Sequence, residues 1–195
     1  MEEIIDVDSL LIPKGELQQK VLTVYAANDM SIVQIPRFDE WEIPEELWME
    51  PRLIDDKVLT FERDTGVIRV HEPGIYRVSC RLSFRVYNTG LIPIYGYGAA
   101  RIITGDILDR FQYTVFSVED VDTFSSVIPP TVPPAPTLRF PLTLWIDADI
   151  IVEQPVDIAP QYRFVPFTAG IPEGLVVTRD TIDVRTFINV SKYLE

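Results

Sequence analysis

The side chains that most often carry out catalysis are scarce in this sequence, which has one histidine, His71, and one cysteine, Cys80. A catalytic histidine needs a nucleophile and an orienting acid placed together in space, and no local motif around His71 supplies this pair. Cys80 lies among alternating apolar residues, which predicts a buried, unreactive thiol. One cysteine and one histidine also exclude an intrachain disulfide, a multi-cysteine zinc site and a two-histidine metal site.

Carboxylate clusters are the remaining candidates for chemistry, and they occur at Asp55-Asp56, Glu119-Asp120-Asp122 and Asp147-Asp149. Glycosidases use two carboxylates across a cleft, and calcium binds carboxylate oxygens. An acidic chain offers such clusters by chance, however, and the spacing at 119–122 matches no calcium loop. Phosphate-loop, dinucleotide-binding, serine-hydrolase and zinc-protease motifs are absent from the sequence. We therefore predict that the protein is not an enzyme and holds no cofactor or metal.

Three arginines form the most concentrated positive feature. Arg77, Arg81 and Arg85 alternate with apolar residues in the segment 76–86, YRVSCRLSFRV, and this period of two predicts a strand with one buried face. The outer two arginines would lie about 26 Å apart on the other face. This stripe could pair with the chain's own carboxylates or solvent. It could instead receive an acidic segment, either the protein's own N-terminal third or a neighbour's, or contact nucleic acid.

The overall charge argues against nucleic acid as a partner. The 195 residues carry a formal net charge of -13, and residues 1–60 alone hold 14 Asp and Glu against 5 Lys and Arg. Phosphate contacts need clustered Lys and Arg. The acid-rich N-terminal third is therefore a separate electrostatic feature that the arginines could complement.

The elements that would position these residues are mainly strands. Short alternating or β-branched segments are separated by Pro and Gly, and no window of 11 or more residues has a helical period. This pattern predicts an all-β protein, a jelly-roll β-sandwich of about 8–10 strands. Pro93 and Pro141 inside strand candidates indicate edge positions or bulges. The predicted strands span 20–26, 31–35, 57–62, 67–71, 76–86, 93–103, 110–118, 138–146, 149–153, 162–168 and 182–190.

Two aromatic pairs are candidate contact residues. Trp41 and Trp48 lie in an acidic, proline-containing segment with a possible helical turn at 45–49, and they either cover their own core or dock onto a neighbouring subunit. Tyr95 and Tyr97 share one strand face, with glycines on the other, where a backbone or ring can approach closely. Subunit packing, an ordinary core and a ligand platform remain open for this pair.

The start of the chain is predicted to be an arm. Residues 1–18 combine acidic residues with apolar ones, and we expect Ile4, Ile5, Leu10 and Leu11 to make assembly contacts. The jelly-roll domain would then span 19–195. The acidic start lacks the basic character of a signal peptide, and no apolar run is long enough to cross a membrane. The sequence thus predicts synthesis in the host cytoplasm and no membrane partner.

Residues 59–86 carry a resemblance to a known superfamily. A D-x-G turn, a short strand, a P-G-x-Y turn and a long alternating strand follow one another there. This succession resembles the jelly roll shared by tumour necrosis factor and the globular heads of the first complement component, and 20–29 and 182–194 resemble its first and last strands. The matching residues are Phe61, Asp64, Gly66, Val67, Pro73, Gly74, Tyr76 and Val78.

The resemblance implies a homotrimer in which three jelly rolls pack through aromatic and aliphatic residues of one sheet. Together with the missing secretion signal, the missing disulfides and the acidic arm, it leads us to expect a structural virion protein. This would be a phage capsid decoration (cement) protein that binds the major capsid protein on the capsid surface. The alternative is a receptor- or glycan-binding knob of a head or tail fibre.

Overall fold

The protein folds into two antiparallel sheets. The structure is a computed structural model that describes residues 18–26, 39–44, 48–88, 94–110, 112–115, 120–126, 139–167, 175–179 and 186–194. One short helix, α1 (Ile107–Arg110), lies within these residues. The strands are β1 (Gln18–Tyr25), β2 (Leu53–Ile54), β3 (Leu59–Glu62), β4 (Val67–Val70), β5 (Gly74–Asn88), β6 (Ile94–Asp106), β7 (Gln112–Val115), β8 (Asp120–Ser126), β9 (Arg139–Val152), β10 (Val156–Pro166), β11 (Leu175–Arg179) and β12 (Phe187–Tyr193).

The first sheet is organised around β5. One edge of β5 pairs with β9 along 14 residues, from Gly74 opposite Val152 to Tyr87 opposite Arg139. Its other edge pairs with β12 and then with β11, and the order continues from β12 to β1 and β2. Because Pro141 lies in β9, which pairs only with β5 among the described strands, its missing N–H falls on an edge strand. The predicted edge position of Pro141 is confirmed.

The second sheet has the order β3-β4-β10-β6-β7, and β8 also pairs with β6. The long pairing between β6 and β10 runs from Gly96 opposite Pro166 to Gly105 opposite Asp157. Residues 39–44 extend this sheet beside β10, since the N–H groups of Glu42 and Tyr162 each donate to the other's carbonyl.

The core lies between the sheets and follows directly from the alternation in sequence. Val78, Cys80, Leu82 and Phe84 of β5 all face inward and are buried. The ring of Phe84 contacts the rings of Tyr162 and Phe164 from the second sheet, with centroids 5.2 and 4.9 Å apart. The predicted buried thiol of Cys80 is confirmed, and its burial raises the pKa of the thiol.

Three residues of the segment 59–86, which resembles part of the tumour necrosis factor jelly roll, have clear physical roles. Gly66 has a φ of 69°, and a Cβ there would lie 2.7 Å from Nε1 of Trp48. Gly74 has a φ of 153°, and its Cβ would lie 2.9 Å from Cε of Lys192. Tyr76 is fully buried, and its hydroxyl donates to the carbonyl of Glu72 at 2.8 Å. These residues allow the chain to turn back closely on itself at both ends of β4.

The predicted all-β sandwich is confirmed, with differences in individual strands. The segments 138–146 and 149–153 form the single strand β9, because Asp147 and Asp149 point outward while Ala148 continues the inward series. The strands β2, β8 and β11 were not predicted. The predicted strand at 31–35, Pro93 and residues 45–47 of the predicted helical turn lie outside the described residues. Among the described residues, no helix is long and apolar enough to cross a membrane.

Candidate subunit interface

A row of aromatic rings crosses the outer face of the first sheet. Trp145 of β9, Phe187 of β12 and Tyr25 of β1 belong to this aromatic row. The ring centroids of Trp145 and Phe187 are 5.8 Å apart, and those of Phe187 and Tyr25 are 6.3 Å apart, both with edge-to-face geometry. Trp145 is 49% exposed, so a large ring on this face remains open to solvent. Aromatic residues that are exposed in this way are typical of protein–protein contacts.

Cationic side chains lie over both ends of the aromatic row. The guanidinium carbon of Arg81 is 5.7 Å from the ring centroid of Trp145, and that of Arg52 is 4.6 Å from the ring centroid of Tyr25. The row therefore combines aromatic rings with arginine, the residue types that contribute most to binding energy at interfaces.

Arg77 is engaged within its own sheet. Its Nε donates to Oδ1 of Asp147 at 2.9 Å, and its Nη2 donates to Oδ2 of the same carboxylate. The Ser79 hydroxyl also donates to Oδ1 of Asp147 at 2.9 Å. These hydrogen bonds lower the pKa of Asp147 and raise the pKa of Arg77. Arg77 therefore follows the first alternative given for the arginine stripe, in which an arginine pairs with the chain's own carboxylates.

The aromatic residues chosen from the sequence lie on the opposite side of the molecule. Tyr95 and Tyr97 belong to β6 and point outward from the second sheet, while Gly96 and Gly98 face the core. The ring of Tyr97 lies 6.0 Å from that of Phe167, and Tyr95 is 48% exposed. We call Tyr95, Tyr97 and Phe167 the second-sheet aromatic group. The predicted contact residues thus do not form one surface.

The two tryptophans of residues 38–51 have different positions. Trp41 lies on the outer face of the second sheet, where the guanidinium carbons of Arg101 and Arg163 are 4.0 and 4.5 Å from its ring centroid. Trp48 is 1% exposed, its Nε1 donates to the Pro44 carbonyl at 2.8 Å, and its ring packs edge-on against Phe61.

Trp48 therefore requires a correction. Its ring belongs to the core of its own chain and leaves no free surface for a neighbouring subunit. Of the two alternatives, Trp48 therefore covers its own core and is not a subunit contact. Ile4, Ile5, Leu10 and Leu11 lie outside the described residues, and Arg85 is described only through its backbone position opposite Pro141.

The described carboxylates, His71 and Cys80 form no metal-binding cluster. Among the described residues, no three His, Cys, Asp or Glu side chains come close enough to hold a metal ion. Asp149 accepts a hydrogen bond from the Tyr193 hydroxyl at 3.0 Å, and the backbone N–H of His71 donates to the Val58 carbonyl. The predicted absence of enzyme activity stays a prediction.

Comparison with solved structures shows the class of fold. The Eiger TNF of S. frugiperda is similar to this chain with a TM-score of 0.55 and 15% identity, over 90% of this chain and 94% of that one. Murine APRIL, solved at pH 8.5, has a TM-score of 0.46 and 13% identity over 89% and 98% of the two chains. The similarity to the Eiger TNF shows that the fold is a TNF-like jelly-roll β-sandwich. No protein-family model matches the sequence. No curated protein matches it either.

Proposed function

We propose that this chain is a structural virion protein, a homotrimeric decoration protein of a phage capsid. The aromatic row is the observation that supports a trimer. Its member Trp145 is half exposed on a sheet face in a TNF-like fold. The resemblance noted in the sequence implies that subunit contacts lie on one sheet of such a fold. A stable contact would bury roughly 1,600 Å² in total.

The mechanism that we propose is mechanical. Trimers would sit at local threefold positions and bridge neighbouring capsomers, so that their buried area opposes expansion of the shell. The acidic and apolar arm, residues 1–18, would provide the surface that meets the major capsid protein. This division of roles assigns self-association to the first sheet and capsid binding to the arm.

The oligomeric state tests the trimer. Light scattering of the purified protein is expected to give a mass near three times 22.3 kDa. Trp145→Glu should reduce this mass, because it places a charge in the contact. Tyr95→Glu is the matched control, since Tyr95 is equally exposed on the opposite sheet. A wild-type mass near 22.3 kDa refutes the trimer.

Capsid binding tests the virion role separately. Deleting residues 1–17, which stops short of β1, should leave the trimer intact and abolish co-sedimentation with empty capsids assembled from the major capsid protein of the same phage. A truncated protein that still co-sediments contradicts the role of the arm. Full-length protein that does not co-sediment contradicts the decoration function.

A receptor- or glycan-binding knob is the second candidate, and the second-sheet aromatic group favours it. Tyr95, Tyr97 and Phe167 form an exposed aromatic surface opposite the proposed subunit contact. Aromatic rings of this kind can stack on the apolar face of a sugar. Under this function, Phe167→Ala should reduce adsorption to host cells and leave the oligomeric mass unchanged, whereas a decoration protein would show no such loss.

A further inference from the structure

We propose that Arg81 receives a carboxylate from a second copy of this chain, at the centre of the outer face of the first sheet. This inference rests on the proposed trimer and names the chemistry of the contact within it. Arg81 lies between Trp145 of β9 and Phe187 of β12, which are its cross-strand partners.

The hydrogen-bonding state of Arg81 is the first observation. Its Nε is buried, and none of the described residues provides an acceptor for it. No ion pair joins Arg81 to a carboxylate among the same residues, in contrast to Arg77 on the same strand face. A buried N–H without an acceptor costs free energy. An acceptor from outside the chain would remove that cost.

Two further polar atoms on this face are also unpartnered. Oδ1 of Asn189 and Oγ of Ser83 are buried without a hydrogen-bond partner in the described part of the chain. Ser83 is two residues from Arg81 on β5 and is 2% exposed, and Asn189 is two residues from Phe187, the partner of Arg81 on β12. Three such atoms at neighbouring positions indicate a polar contact that one chain alone does not complete.

The nearest carboxylates of the same sheet are engaged elsewhere. Asp147 accepts hydrogen bonds from Arg77 and Ser79, and Asp149 accepts one from the Tyr193 hydroxyl. Their position on β9 is fixed by these bonds. Among the described residues, these bonds leave neither carboxylate for Arg81, which favours a carboxylate from another molecule.

Charge and chemistry favour a second copy as that molecule. The chain carries 30 Asp and Glu against 17 Lys and Arg, so its surface offers many carboxylates. A guanidinium fork binds a carboxylate through two parallel hydrogen bonds, which Lys cannot reproduce. The site is also continuous with the aromatic row, where Trp145 would shield the ion pair from water once a neighbour covers it.

The test compares the trimer affinity of Arg81→Met with that of the wild type. The dissociation constant should rise by at least about tenfold, because the neighbour's carboxylate would be left unpaired in the contact. Raising the salt concentration should weaken the wild-type trimer more than the variant, since ion pairs are screened. Arg77→Met is the matched control: it lies on the same face but is already paired, so its effect should stay below about threefold.

A second variant covers the case in which Arg81→Met folds poorly. Asn189→Asp places a carboxylate diagonally across from Arg81, within reach of a long side chain, and should weaken the trimer by competing for the guanidinium. Circular dichroism confirms the fold of each variant. Trimers of Arg81→Met and Asn189→Asp that are as tight as the wild type overturn the carboxylate site and leave the trimer standing. A monomeric wild type overturns both proposals.

Discussion

Leu142 of β9 occupies the space that a side chain at Gly98 of β6 would need. A Cβ at Gly98 would lie 2.6 Å from Cδ2 of Leu142 and 3.2 Å from Cε1 of Phe164. Since β9 and β6 belong to different sheets, this contact sets how closely the two sheets approach. The glycine at position 98 is therefore explained by the chain's own core, which was one of the alternatives for this segment.

Gly98→Ala is expected to destabilise the protein by about 1–3 kcal/mol, because an extra methyl in a filled core forces its neighbours to move. The free energy of unfolding in urea, at fixed protein concentration, measures this. Leu142→Ala alone should cost about 2–5 kcal/mol. The double variant should be clearly less destabilised than the sum of the two, because the methyl would enter the space that Leu142 vacates. Additive costs would contradict the proposed contact.

Asp157 is expected to be the most sensitive carboxylate in the second sheet. It is 2% exposed, accepts from Nε of Arg69 at 2.7 Å, and accepts the N–H groups of Ile107 and Leu108 at the start of α1. Asp157→Ala would leave these donors without their acceptor and should cost about 3–5 kcal/mol. Glu50→Ala is the control: it removes the exposed pair with Arg63 and should change stability by less than about 1 kcal/mol. Similar losses for both variants would argue against this role of Asp157.

The pair of Arg77 and Asp147 predicts a contribution to the acid sensitivity of the fold. Hydrogen bonds from Arg77 hold the pKa of Asp147 below its usual value of 3.8. A lowered native pKa means that the pair stabilises the fold fully above the unfolded pKa, and that this stabilisation is lost as the pH falls through the native pKa. Because both side chains are partly exposed, we expect at most about 1 kcal/mol.

Urea unfolding between pH 7 and pH 2 measures this contribution. Arg77→Met should lower the free energy of unfolding at pH 7. Below about pH 4, the variant should lose less of its stability than the wild type as the pH falls. If the free energy of unfolding falls equally steeply with pH for the wild type and the variant below this pH, Arg77 does not stabilise the ionised form of Asp147.

Cys80 is expected to resist thiol reagents in the native state. It is fully buried in the core, and burial raises the pKa of its thiol, so neither access nor the reactive thiolate is available. A chromogenic disulfide reagent should react with less than one thiol per chain until urea unfolds the protein. Rapid stoichiometric labelling of folded protein would be inconsistent with the packing of β5.

Local alternation predicted much of the fold but little of the interface. The series in β5 correctly separated Cys80 from Arg77 and Arg81, because the period of two is a property of neighbouring residues. The same alternation in 138–146 is consistent with Trp145 on the outer face and Leu144 on the inner face. The aromatic row, however, combines side chains of three strands from distant parts of the chain. Its members become neighbours only through the order β9-β5-β12-β1.

Other features depend on tertiary contacts that no local pattern encodes. Trp48 is buried because its ring packs on Phe61 and its Nε1 donates to the Pro44 carbonyl. Its acidic surroundings in sequence left both alternatives open, the chain's own core and a neighbouring subunit. Tyr95 and Arg81 were grouped as contact residues, yet they lie on opposite outer faces of the sandwich, because the assignment of a strand to a sheet follows from long-range pairing.

The pairing of β1 with β12 has a consequence for the order of folding. Gln18 lies opposite Tyr193, so the first described strand must wait for the last one to be synthesised. Until then, the unpaired edge of β1 and the apolar side chains of Leu22 and Val24 are accessible to other nascent chains. Such long sequence separations favour slow folding. Yields of soluble protein should therefore depend on how quickly the ribosome completes β12.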